Sequence, residues 1–158
     1  MGKKQDSEMV QGLYMGIRQR AIWFHLLLEA AKKQGCDIEK LTDDAIFQYG
    51  VGVSAGEKGD EPKDLLHHMC STEGPFWEMF DKEILCEEED KCIARFHRCP
   101  LVDAWREYGL SDERINELCN LANKGDFGRA SNFCHANMEF PKRIGGGDDY
   151  CELYITRK

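Results

Sequence analysis

Cys99 ends a β-rich run and is followed at once by Pro100, a residue that favours the first position of a helix. The spacing therefore puts Cys99 at a helix N-cap. There the partial positive charge of the helix terminus, with Arg98 beside it, would favour thiolate and hence a nucleophile. The plain alternative is a thiol that only stands in for serine as a cap. Asp148 is the second residue with chemical promise, since it follows the run Gly145-Gly146-Gly147 and precedes Cys151 by three positions. A carboxylate at the mouth of a sheet can orient water or hold a cationic substrate group. The glycines match no phosphate-binding fingerprint, because neither a Lys-Ser/Thr pair nor a helix follows, and they read as a hairpin loop.

Metal binding is the rival chemistry for so many thiols. The spacing argues against it, because Cys-x-x-Cys is absent and Cys134-His135 is a lone adjacent pair. A site assembled across the fold from Cys99, Cys119 and Cys151, with His97 or His135, stays open as the less favoured reading. The expectation is no cofactor. His67-His68 reads as a solvated pair.

The elements that must hold these residues are legible from periodicity. Val10, Leu13, Ile17, Ala21, Phe24, Leu28 and Ala31 recur at helical spacing over 9–34, after a tail at 1–8, and Gly35 is the expected stop. A second helix is expected to start with Thr42 as its N-cap, and a short one over 63–69. Runs at 84–88 and 91–98 flank Glu87-Glu88-Glu89-Asp90 and read as a hairpin around a solvated acidic turn. The helix opened by Pro100 carries Leu101, Ala104, Trp105 and Tyr108 on one face and stops at Gly109. Ser111 caps the next, whose stripe of Ile115, Leu118, Cys119 and Ala122 ends near Gly125. A second hairpin, 136–144 and 150–156, closes the chain. The expected fold is α+β: an antiparallel sheet built from two hairpins with helices packed on one face, forming one domain over 9–158.

Composition limits the partners. The net charge of −8 excludes nucleic acid, which needs a surplus of Lys and Arg. No run approaches the ~20 apolar residues of a membrane span. Eight cysteines without a signal-peptide pattern are expected to be reduced thiols in a cytoplasmic protein. A small-molecule ligand is the expected partner, and the sequence leaves room for a homo-oligomer.

Arg98-Cys99-Pro100, then Trp105 and Gly109, then Cys119, then Gly147-Asp148-x-x-Cys151 together resemble the C-terminal signature of the L-2-amino-thiazoline-4-carboxylic acid hydrolase family. The stretch 20–50 is similar to that family's helical lead-in, less specifically. The resemblance implies a hydrolase that opens the ring of 2-aminothiazoline-4-carboxylate to a carbamoyl-cysteine. It implies Cys99 and Asp148 as catalytic residues, with Arg98 facing a substrate carboxylate and Trp105, Cys119 and Cys151 lining the substrate. Cys119 and Cys151 read equally well as packing. The fold is also similar to the 4-vinyl reductase domain, so a sensor or carrier that binds a small molecule or a metal without turnover is the alternative.

Overall fold

The computed structural model describes residues 7–71 and 74–158. Helix α1 (Glu8–Lys33) opens on Ser7, whose side chain accepts from the Val10 amide, and it buries Val10, Ile17, Ala21, His25 and Leu28. Of the expected tail, residues 1–6 lie outside the described residues, while Ser7 and Glu8 belong to the helix.

The second helical stretch starts earlier than expected. Asp37 caps α2 (Ile38–Thr42) by accepting from the Lys40 amide. Thr42 is buried, and its hydroxyl donates back to the Ile38 and Glu39 carbonyls, so it lies inside the helix. A hydroxyl that can satisfy itself on the preceding turn is free to enter a helix interior, and burial at the α1–α7 side decided between the two uses. A π-helical turn at Asp43–Phe47 continues into α3 (Gln48–Val53). Helix α4 (Pro62–Met69) carries a capping box between Glu61 and Asp64, and α5 (Pro75–Met79) follows.

The sheet contains β1 (Lys82–Glu87), β2 (Lys91–Phe96), β3 (Ala136–Lys142) and β4 (Cys151–Arg157) in the order β1-β2-β4-β3, antiparallel throughout. Each expected hairpin forms, and β2 joins them by pairing with β4. That register sets Cys92 beside Ile155, Ala94 beside Leu153 and Phe96 beside Cys151. On the inner face Cys92, Ala94, Leu153 and Ile155 pack with Leu65, Leu66 and Phe133. The outer face is polar, with Arg95 paired to Glu152 across the strands at 3.1 Å. The acidic turn is more than solvated charge, since Asp90 takes Arg157 and Glu89 takes Lys63.

Between the hairpins run α6 (Pro100–Glu107) and α7 (Asp112–Ala130). Helix α7 continues past Gly125 to Ala130. Gly125 and Gly128 sit where α7 crosses α3 backbone to backbone, so these glycines mark close approach and not a helix stop. A second apolar cluster of Ala21, Leu28, Val102, Trp105, Ile115, Leu118 and Leu121 joins α1, α6 and α7. Among the described residues, no helix is long and apolar enough to cross a membrane.

Candidate active site

Three elements converge at the end of the sheet where β2 hands over to α6. Cys99 is the N-cap of α6 with Pro100 at its first position. Cys151 is the first residue of β4, beside Phe96 of β2. Cys119 faces them from the middle of α7. All three thiols pack against the second apolar cluster and lie within electrostatic reach of one another. The 3₁₀ turn Ile144–Gly146 closes over them. Its Ile144 amide donates to the Cys151 sulfur at 3.3 Å, and a Cβ on Gly145 would fall 2.6 Å from the Cys119 sulfur. Only glycine lets the turn lie so close to the thiol.

The cap position is as the spacing implied, but the expected acidity is not. Burial pushes the Cys99 thiol up to about 12, against the opposing pull of the Val102 and Leu101 amides. Burial likewise holds Cys151 at about 11 and raises Cys119 despite Arg143 nearby. Desolvation penalises an isolated thiolate more than one helix terminus can repay. Arg98 adds little to the balance, because its guanidinium lies 4.1 Å over the Tyr14 ring. Tyr14 in turn donates to Asp103 at 2.5 Å. Alkylation with peptide mapping at neutral pH should therefore label the exposed Cys36 and Cys134 first and Cys99 late, the reverse of the order that a helix-cap thiolate would give. Early labelling of Cys99 would restore the thiolate.

Asp148 does not join the thiols. It is exposed and accepts from the Arg143 amide at 2.8 Å, closing the loop with Gly147 at positive φ. Trp105 is 1 % exposed and donates from its indole nitrogen to the Ala21 carbonyl at 2.9 Å, clamping α6 to α1. Both make long-range or loop contacts that their sequence positions did not disclose.

A carboxylate within electrostatic reach of Cys119 and Cys151 is Asp126, about two turns beyond Cys119 on α7. Burial raises its carboxyl to about 6 against the pull of Arg129, Lys82 and Arg20, and it also acts on Cys151 and Cys119. A carboxyl poised near neutrality among cations can give and take a proton. Lys82 reaches in from the start of β1. Its ammonium donates to the Met69 carbonyl at 2.8 Å and sits 5.0 Å from the Phe96 ring centre, and burial lowers its pKa. Arg143 supplies a further cation, beside Cys119, and is held by Asn120 and, at 3.2 Å, by Asn116. Sequence reading missed Asp126 because it ended α7 one residue earlier. The available signal was Gly125-Asp126-Phe127-Gly128, a charge between two glycines at a helix crossing.

The sequence model of the L-2-amino-thiazoline-4-carboxylic acid hydrolase family matches residues 14–155. The chain belongs to that family. No curated protein matches it. Among solved structures, the trafficking protein particle complex subunit 3 from Naegleria fowleri, covalently bound to palmitic acid, is similar. It is 16 % identical over 91 % of this chain and 96 % of that one, with a TM-score of 0.57. At that identity the likeness shows the fold alone. In this family member Cys99, Cys119 and Cys151 meet, whereas Arg98 stacks on Tyr14, Trp105 bonds to the Ala21 carbonyl and Asp148 accepts from the Arg143 amide in an exposed loop. Among the described residues no three His, Cys, Asp or Glu side chains are placed to hold a metal ion, and the three thiols are not an exception.

Proposed function

We propose that this chain is a hydrolase that opens the ring of a small anionic heterocycle such as 2-aminothiazoline-4-carboxylate, with Asp126 as its proton-transfer group. The observation that carries this reading is a carboxyl held at about 6 among cations, within electrostatic reach of Cys119 and Cys151. Ionised Asp126 takes a proton from water, whose oxygen bonds to the amidine-like ring carbon. The ring C–S or C–N bond then breaks, and the proton passes to the departing sulfur or nitrogen. One water is consumed, and a carbamoyl-cysteine results. Arg143 is the partner for the substrate carboxylate, since its guanidinium is oriented by two asparagines at the cluster's edge. The thiols remain protonated and line the site. This replaces the nucleophile reading of Cys99, because burial raises its thiol to about 12 and leaves little thiolate at neutral pH.

The test is incubation of the protein with 2-aminothiazoline-4-carboxylate, followed by mass spectrometry and a thiol reagent. The expected product gains one water, and C–S opening also yields one new thiol per turnover. Cys99→Ser should keep most of the activity; its complete loss with retained folding would return Cys99 to the role of nucleophile. No water gain with this substrate would refute the reaction as written. The apolar surroundings and protonated state of the thiols also favour a second reading, a non-enzymatic binding module. The structurally similar trafficking subunit is covalently bound to palmitic acid. In that case intact-mass analysis of natively purified protein should find an adduct and no turnover.

A further inference from the structure

Helix α1 has a second face with no counterpart in the core. Met9, Gly12, Met15, Gly16, Gln19, Trp23, Leu26, Leu27 and Ala30 recur at helical spacing and are all exposed, Trp23 at 72 % and Leu27 at 67 %. None of them is charged, although charged residues make up 32 % of the chain. Arg18, Glu29 and Lys32 lie on other faces, Arg20 borders the strip, and Glu8 and Lys33 close its two ends. The strip runs for about 33 Å along the helix. Its Met, Trp and Leu side chains offer on the order of 600 Å² of apolar surface. A soluble monomer rarely leaves that much exposed in one patch, and a standard interface takes about 800 Å² from each partner.

The two ends of the strip differ in relief. Gly12 and Gly16 form a notch, with nothing within 4 Å of where a Cβ would stand. Trp23, Leu26 and Leu27 form a ridge one to two turns further on. An antiparallel copy of α1 brings ridge onto notch twice over: Trp23 opposite Gly16 and Leu27 opposite Gly12, with the two-fold axis between Gln19 and Arg20, so that each Gln19 faces the other copy's Arg20. That is the self-complementarity an isologous dimer requires. We infer that the outer face of α1 is the interface of a homodimer formed by two antiparallel α1 helices.

Analytical ultracentrifugation of the full chain at micromolar concentration should give twice the chain mass. Trp23→Arg should raise the dimer dissociation constant by about thirtyfold or more, as loss of a central aromatic anchor does. The side chain is exposed, so the monomer should keep its melting temperature. Gly16→Leu is the deciding variant. It adds apolar surface and helix propensity, yet it fills the notch and should also dissociate the dimer. A membrane surface, or a partner that reads only hydrophobicity, would bind Gly16→Leu as well or better. A monomer at tens of micromolar, or a dimer that both variants leave intact, would overturn the proposal.

Discussion

Asp126→Asn should abolish ring opening while leaving the protein as stable as before or more so above pH 6. The two effects separate because the folded protein holds this carboxyl above its ordinary value. A raised carboxyl costs stability as the pH climbs from the unfolded value through about 6, where the buried group is forced to ionise. Asparagine keeps the shape and removes that cost. Turnover needs the ionised form, so kcat/KM in the native protein should rise with pH through about 6 and then level off. No alkaline limb from Cys99 or Cys151 is expected in the neutral range, because those thiols stay protonated to about 12 and about 11. The loss on Asp126→Asn should be about a hundredfold or more, the scale of a removed general base. Thermal melting at pH 5 and pH 8, run beside a pH–rate profile, checks both halves. Full activity in Asp126→Asn would remove the carboxylate from the mechanism. A melting temperature that falls sharply would make Asp126 a structural residue instead.

Gly50→Ala should unfold the protein or cost about 3 kcal/mol or more, although alanine is the better helix former. Intrinsic propensity favours the change by about 1 kcal/mol at each helical glycine. The crossing of α3 and α7 reverses the sign. A Cβ on Gly50 would lie 2.0 Å from the Gly125 carbonyl oxygen and 2.9 Å from the Arg129 amide nitrogen. A Cβ on Gly128 would lie 2.1 Å from the Phe47 carbonyl oxygen. These obstacles are backbone, which cannot rotate aside, so the helices must part. Ser54 would then lose its bond to the Arg129 carbonyl, at 2.9 Å, and Asn132 its bond to Val51. The separation would also shift Asp126, which lies between the two crossing glycines of α7. Gly52→Ala is the internal control, since that position of the same helix is open and exposed. Denaturant melts of the pair should move in opposite directions or differ by several kcal/mol. Equal stability of Gly50→Ala and the native chain would mean that the crossing is not as tight as described.

The sequence alone determined the longer helices, the two hairpins and the cap at Cys99, but not α5, the π turn or the 3₁₀ turn. Those are local properties: apolar spacing in α1, Pro100 after Cys99, and turn residues between short β-rich runs all act within a few positions of themselves. It also placed Cys99, Cys119 and Cys151 together as a set, through the order and spacing of a family signature. What tertiary structure decided was the condition of those residues. Cys99 sits where its spacing put it, yet the burial that comes from α1, α7 and the Ile144–Gly146 turn sets its protonation, and none of that burial is local to residue 99. Asp148 looked chemical by its place before Cys151, and the fold sets it apart from the thiols, in an exposed loop where it accepts from the Arg143 amide. Asp126 lies one residue past the expected end of α7 and drew no reading from the sequence, yet it lies within electrostatic reach of Cys119, Cys151 and three cations. Gly125 looked like a stop and proved to be half of a helix crossing. In each case the deciding interaction joins residues far apart in the chain, and a glycine, an aspartate or a thiol carries no mark of which distant backbone or charge it will meet.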